Sequence, residues 1–527
     1  MNLGMSKYYK FLIPFVLLIV SGCTVYQNGN KAEPELIAQE QQSGKKSIVV
    51  VKTVKEVNST VIAKPVTHIK EELHEKKKLK VAPVKVVKET PVEPQKVKVP
   101  PIVRMSTTSN KRDHKNFGFD LIQKGVSDNN TLFIVGGIQG DEPGGFMAAS
   151  LIATQYKITK GSLWVIPNLN FYSIIKRSRG PFGDMNRKFA ELKESDPDFE
   201  AISKIKSYIE DDKVKLIVNL HDGSGYYRDK YIDKEHSPHR WGQCSIVDQE
   251  RLDCERYGDL KEISSKVVAH VNANLIREED RYSYNNTRTS DGNKEMAKTL
   301  TYFAINRGKA AFGNEASKNL PTHERAYYHL LALEKYMDVM GIEFERKFEL
   351  NPKAVKEVLD NNIYLSIEGN SISLPLSNIR NILRYFPVSK DGSIKYVPSN
   401  PLLKIIKNKN TYTVYYGNRR LTHLQADYID YARDDTNVHF EVDNRDMKVM
   451  FGDIVKVKKE FLIHNHEVYR VNVIGYSNSS KKETDMKITK DKIMKRYSVD
   501  KDAQIYRVEF YKKDKFAGTV LVKFEDV

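Results

Sequence analysis

Gln139, Glu142 and His221 are three side chains able to hold a metal ion. Glu142 offers a carboxylate and His221 a neutral imidazole. Both are ordinary zinc donors, and a mononuclear catalytic zinc takes three protein ligands plus a water. Gln139, three residues before Glu142, can supply the third through its amide oxygen. A neutral amide donates less electron density than imidazole, so the ion is held less tightly and a water on it is more acidic. The apolar run 131–135 leads into Gly136-Gly137-Ile138-Gln139-Gly140-Asp141-Glu142-Pro143-Gly144-Gly145, and the run 214–218 leads into Asn219-Leu220-His221-Asp222-Gly223. Each polar group therefore sits where a buried strand ends in a glycine-containing loop, the place where open α/β sheets bind ligands.

Two further stretches carry charge in a similar setting. Arg177-Ser178-Arg179-Gly180-Pro181-Phe182-Gly183-Asp184-Met185-Asn186-Arg187 brings three arginines into one loop. A planar guanidinium meets a carboxylate bidentately. Ala311-Phe312-Gly313-Asn314-Glu315-Ala316-Ser317 is an apolar strand that delivers a carboxylate. His236 and His239 form a His-x-x-His pair, but in a polar Ser/Pro/Arg loop they read as surface residues.

The elements that must position these groups alternate. Strands are expected at 131–135, 162–167, 214–220 and 308–314, and helices at 195–210, 258–275 and 321–340. Pro321 and Gly341 mark the ends of the last helix. Alternation argues an α/β domain with helices covering a largely parallel sheet. After 345 short runs such as 362–367, 412–416, 438–442, 468–473, 506–511 and 519–524 predict one or two small β domains.

Taken together, these motifs resemble the M14 zinc metallocarboxypeptidases, whose His-x-x-Glu motif is followed by a distant His. The resemblance is greatest to the helical-cell-shape branch of peptidoglycan carboxypeptidases, in which Gln replaces the first His as Gln139 does here. It covers roughly 114–527. It implies a carboxypeptidase-like α/β domain at 113–344, a mixed sheet with helices on both faces, then a β domain at 345–436 and an immunoglobulin-like β domain at 437–527. It implies Zn2+ on Gln139, Glu142 and His221. Asn186 and Arg187 match the pair that grips the terminal carboxylate, and Arg179 the arginine that stabilises the developing oxyanion. Glu315 matches the catalytic glutamate that takes a proton from the attacking water and passes it to the leaving amine. Trp241 and Thr301 are candidate pocket residues. The implied reaction removes terminal meso-diaminopimelate from muropeptide tripeptides, leaving dipeptides and influencing cell shape. Two rivals stand beside it: a related zinc deacylase or amidohydrolase, and a catalytically silent muropeptide-binding scaffold.

At the front of the chain, Lys7 and Lys10 precede the apolar run Phe11–Val20, which is too short for a confident membrane span. The junction Ser21-Gly22-Cys23 resembles a lipoprotein cleavage site, so residues 1–22 read as a signal peptide and Cys23 as a lipidated anchor. Thr24 after the cysteine slightly favours the outer membrane, and the expected compartment is the periplasm. Residues 23–112 read as a disordered Lys/Val/Pro-rich linker. At ~3 Å per residue it could reach well over ~100 Å. Residues 1–112 hold 20 Lys plus Arg and 9 Glu, so +11 of the formal +17 lies there. The basic character therefore belongs to a tail. An exported protein makes nucleic acid a poor partner and an anionic envelope surface a better one, beside the plainer reading of a solvated, soluble linker. Cys244 and Cys254 are the remaining cysteines, and their spacing leaves open whether they pair.

Overall fold

The computed structural model describes residues 106–110, 117–432, 437–478 and 483–525. The expected signal segment, Cys23 and most of the expected linker lie outside them. Among the described residues no helix is long and apolar enough to cross a membrane.

Seven strands form the central sheet: β1 (Ile122–Gly125), β2 (Thr131–Val135), β3 (Ser162–Ile166), β4 (Val214–Gly223), β5 (Cys244–Val247), β6 (Ser283–Asn286) and β7 (Ala310–Ser317), in the order β6-β5-β7-β4-β2-β3-β1. The four central strands β3, β2, β4 and β7 run parallel. Strand β1 is antiparallel to β3, and β5 is antiparallel to β7. The sheet is thus mixed. Every residue of β2, β3 and β7 is buried. Strands covered on both faces read as continuous apolar runs rather than alternating ones, which is why they were visible in the sequence.

Helices α1 (Pro143–Gln155), α2 (Phe171–Lys176), α3 (Phe199–Glu210), α4 (Leu260–Asn272), α5 (Leu300–Ile305), α6 (Thr322–Val339) and α7 (Pro352–Asn361) complete the unit. The chain steps from β2 through α1 to β3, then returns past β2 through α3 to β4. Right-handed crossovers place α1 and α3 on opposite faces. The reversal opens a crevice beyond the carboxyl ends of β2 and β4. Helix α7 packs on α6, beyond the boundary expected at 344.

Helix α1 was hidden by its own glycines. Gly144 and Gly145 follow Pro143 at the helix start and read locally as a loop. Their role is clearance. A Cβ on Gly145 would lie 2.9 Å from the Leu220 side chain and carbonyl, and one on Gly144 2.4 Å from Asp222 Oδ1. Only glycine lets the helix start approach β4 this closely.

Beyond the α/β unit, strands 382–389, 419–429, 411–416 and 403–408 build a five-stranded sheet that 109–110 completes, and strands 395–398, 364–367 and 372–375 a four-stranded one that 106–107 completes. This β domain shares one continuous apolar core with the α/β unit. Residues 438–524 form two four-stranded sheets over a separate core. The expectation of an unstructured linker through 112 fails at 106–110. Ser106–Thr107 pairs antiparallel with 395–396, and Ser109–Asn110 pairs parallel with 406–407. The cause is long-range: two edge strands offer backbone groups that a short segment of almost any sequence can satisfy.

A chain started at Phe117 should therefore lose stability in the β domain. Each forfeited ladder bond contributes about 0.5–1.5 kcal/mol. Calorimetry should show an earlier transition for the truncated chain, and coincident transitions for both chains would contradict the pairing.

Candidate active site

Gln139 and Glu142 lie on the turn between β2 and α1, and His221 is the eighth residue of β4. All three are nearly sequestered, at 2%, 4% and 6% exposure. His221 Nδ1 lies 3.0 Å from Gln139 Oε1 and 2.9 Å from Glu142 Oε2. Two oxygens from the turn and one nitrogen from β4 thus meet at one point. The amide of Gln139 is oriented, because its Nε2 donates to Asp184 Oδ1 at 2.7 Å and leaves Oε1 facing the histidine. The donor set and its convergence fit a divalent cation held by Gln139, Glu142 and His221. Gly140 makes the turn possible: a Cβ there would lie 2.0 Å from the Ser173 carbonyl carbon.

Asp184 also organises the arginine loop. It caps the turn Met185–Arg187 by accepting from the Asn186 N–H, and it accepts from Arg179 Nε at 2.8 Å. Arg187 approaches it at 4.0 Å. Burial opposes the charge on Asp184, but Arg179, the Gln139 amide and Arg187 outweigh it and hold the carboxyl below its usual value. Arg179 in turn stands 3.5 Å from Glu142 Oε1. Asn186 is buried, with Oδ1 accepting from the Leu300 N–H and Nδ2 3.4 Å from His221 Nε2. Lys318 closes the other side, donating to Asp141 at 2.8 Å with Glu142 Oε1 3.4 Å away.

Glu315 faces the donor set from β7, directly across the ladder from His221. Its Oε2 is buried without a hydrogen-bond partner. Burial pushes its carboxyl up to about 8, with His221 pulling down and Glu142 adding repulsion. A cation between Gln139, Glu142 and His221 would draw it back down.

All nine site residues expected from the sequence, from Gln139 to Glu315 and including Trp241 and Thr301, line one cleft of about 300 Å³. Trp241 is 38% exposed at its rim, whereas Thr301 is buried in its wall. His236 stacks on Tyr226 and pairs with Asp233, and neither it nor His239 lines the cleft. Cys244 and Cys254 are both free thiols, Cys244 buried and Cys254 partly so.

Three residues that sequence reasoning left without a role support the site. Asp184 is one. Asp222, next to His221 and fully buried, accepts from the Gly144 N–H at 2.7 Å, Arg325 at 3.1 Å and His329 Nε2 at 3.2 Å. It thereby ties α1, which follows Glu142, to the strand that carries His221. His329 continues through Asn314 to the Tyr282 hydroxyl. Asp222 sat inside a conspicuous motif, but nothing local marks His329, a mid-helix histidine that joins Asp222, 107 residues away, to Asn314 on β7.

Three family models together match residues 120–525. A catalytic-domain model of a carboxypeptidase controlling helical cell shape matches 120–360. A β-barrel-domain model of carboxypeptidase M99 matches 360–430, and a model for the C-terminal domain of metallo-carboxypeptidase matches 431–525. The structure is similar to that of the apo cell shape determinant protein Csd4 from Helicobacter pylori, at 38% identity and a TM-score of 0.71, over 77% of this chain and 100% of that one. The tripeptide-bound and mDAP-bound forms of Csd4, the latter described as a D,L-carboxypeptidase, match at the same identity and coverage with TM-scores of 0.70. No curated protein sequence matches.

Replacing Asp222 by Ala should cost about 1–3 kcal/mol of stability, because buried His329 and the Gly144 N–H lose their acceptor and Arg325 its carboxylate. Burial works against the aspartate charge, but the His329 bond, the Arg325 charge and the Gly144 N–H bring its pKa below the ordinary value. Stability from such a group is present above the unfolded-state pKa and lost as pH falls through the folded one. Denaturant melts should therefore show a wild-type advantage at pH 7 that shrinks below the ordinary aspartate range.

Proposed function

The chain belongs to the carboxypeptidases that control helical cell shape, and from that premise we propose that it is a zinc D,L-carboxypeptidase of the bacterial envelope. Its substrate is a muropeptide tripeptide, and the bond cut joins D-Glu to terminal meso-diaminopimelate. The observation that carries this reading is the meeting of Gln139, Glu142 and His221 with Glu315 in one cleft whose other wall presents Asn186 and Arg187. Tripeptide- and mDAP-bound forms of the similar Csd4 support the substrate class.

Gln139, Glu142 and His221 hold the cation. Zinc bound there supplies Lewis acidity toward the scissile carbonyl and lowers the pKa of water. Arg187 and Asn186 receive the substrate's terminal carboxylate, which fixes the scissile bond beside the donor set. Arg179, hydrogen-bonded to Asp184 and beside Glu142, stabilises the charge that develops on the carbonyl oxygen. Glu315 takes a proton from the attacking water and returns it to the leaving amine. Its unpartnered Oε2 is the atom free to do so. Burial on β7 holds this carboxyl rigidly and raises its affinity for a proton, and the cation beside it would restore the ionised form that a base requires. A silent binder has no use for such a group. A small-molecule deacylase is not favoured either, because carboxypeptidase domain models account for 120–525 continuously.

Three variants separate the roles. The wild type should release diaminopimelate from the tripeptide, lose activity to a chelator and regain it with zinc, while Glu142→Ala should carry almost no metal by elemental analysis. Glu315→Gln should keep metal and substrate affinity while kcat falls by about 10²–10⁴-fold. Arg187→Ala should instead raise KM and lower kcat/KM. Wild-type-like turnover by Glu315→Gln would remove the proposed base.

For the N-terminal segment we propose lipidation at Cys23 and a periplasmic catalytic domain. Cys23→Ala should abolish lipid labelling and move the protein to the soluble periplasmic fraction. An unlabelled wild type with unchanged fractionation would remove the anchor.

A further inference from the structure

The β domain carries a groove of its own. It holds about 450 Å³ and is lined by Ile382, Asn408, Thr411, Thr413, His423 and Gln425, none of which lines the cleft. The lining follows from strand alternation. In strand 411–416, Tyr412 and Val414 are buried in the core, which turns Thr411 and Thr413 to the outer face. Strand 419–429 sends Leu424 inward and His423 and Gln425 outward. Register then sets two rows across the sheet. Asn408 stands opposite Thr411 and Thr411 opposite Gln425 in one row. Thr413 stands opposite His423 and His423 opposite Ile382 in the other. The rows are rich in hydroxyl and amide groups and hold no Asp, Glu, Lys or Arg. His423 joins them as a neutral imidazole, because burial and the nearby Arg420 lower its pKa, and its Nδ1 lies 3.0 Å from Thr413 Oγ1. Such a surface matches a ligand dense in hydroxyl and amide groups and offers no counter-charge to an ionic one.

Beside the groove the ladder is broken. Leu383 pairs with Leu424 and Phe386 with Ala426, so Arg384 and Tyr385 together stand against Gln425. Tyr385 has a φ of 52°, a left-handed conformation unusual for a bulky residue, and it is 57% exposed. The bulge is held from within. Arg507 Nη1 donates to the Tyr385 carbonyl at 3.1 Å and Nη2 to the Arg384 carbonyl at 2.7 Å. This arginine is buried and pairs with buried Glu509 at 3.0 Å. A buried ion pair thus maintains a strained bulge whose product is a tyrosine in water. Ile382, on the same strand, is 50% exposed. Packing within the protein does not account for these two side chains, whereas a ligand that offers an apolar ring face beside polar groups does.

We infer that this face of the β domain binds the glycan of the polymer whose peptides the cleft trims: hydroxyl and N-acetyl groups of neutral amino sugars pair with Asn408, Thr411, His423 and Gln425, and a pyranose face stacks on Tyr385. A pyranose presents a C–H face and an edge of hydroxyls, so it meets the tyrosine and the polar rows at once. The inference rests on the muropeptide reading of the cleft for the identity of the polymer and adds a second point of attachment. Holding the glycan raises the local concentration of stem peptides at the cleft and leaves the chemistry there unchanged.

The test titrates the full chain with tetra-N-acetylchitotetraose, a neutral amino-sugar oligomer without peptide, by calorimetry. The wild type should bind it, and Gln425→Ala and Tyr385→Ala should each weaken binding by about three- to tenfold, the worth of one hydrogen bond or one aromatic contact. Activity should divide with the substrate. On the free tripeptide, which carries no sugar, both variants should match the wild type in kcat and KM. On tripeptides still linked to glycan strands they should raise KM by a similar factor. If Tyr385→Ala does not fold, Gln425→Ala and Asn408→Ala carry the test. No binding of the oligomer by the wild type at millimolar concentration, or undiminished binding in every folded variant, overturns the glycan site. So does a dimer that Gln425→Ala dissolves in the absence of any sugar binding, which would assign the face to a second copy of the chain. Failure of the wild type to cleave the free tripeptide would strike the peptidase reading instead, and the sugar titration would still decide the groove.

Discussion

Buried negative charge is the constraint around which the structure is arranged. Glu142, Asp184, Asp222 and Glu315 converge on one crevice, and carboxylates withdrawn from water are costly unless matched by cations or N–H donors. Three are matched. Asp222 has Arg325, His329 and a helix-start N–H, and Asp184 has Arg179 and the Gln139 amide. Glu142 has Lys318 and Arg179 at its edge. Glu315 has no such partner on Oε2. The surplus sits at the place where a divalent ion would settle it, so the same arrangement that burdens folding supplies affinity for the metal.

The sheet makes that arrangement possible. Strand order reverses at β2, so loops from separate stretches of chain face one another across β2 and β4. His221 and Glu315 stand within hydrogen-bonded ladders rather than on loops, which limits their freedom to the small motions of a buried strand. Gln139, Glu142, Arg179 and Arg187 are carried instead by the turn after β2 and the arginine loop, and hydrogen bonds to Asp184 and Asp222 hold both in place.

How much of this could be read in advance follows from the range of each signal. The donor residues and the arginine loop were legible because strand ends and local motifs mark them. Most long strands were legible because full burial writes an apolar run. The structure extended two of them, β4 to Gly223 and β7 to Ser317, which turned supposed loop residues into strand residues. Helix α1 was missed because its glycines answer to β4, a strand more than sixty positions away. Asp222 and His329 gained roles only through partners that folding supplies, and the pairing of 106–110 depends on edge strands nearly 300 residues later. The free state of Cys244 and Cys254 is likewise a matter of placement, which spacing does not encode.

The entry of the chain through Ser106–Asn110 has a mechanical meaning. This segment is laced into two sheets of the β domain, antiparallel on one and parallel on the other. Tension applied from the N-terminal side would load the Ser106–Thr107 ladder on 395–396 first and the Ser109–Asn110 ladder on 406–407 after it. Neither ladder belongs to the sheet that carries His221 and Glu315. A pulled chain would yield first at the seam of the β domain, leaving the spacing of the donor atoms untouched. The β domain would then act as a strain relief for an enzyme working on a load-bearing polymer.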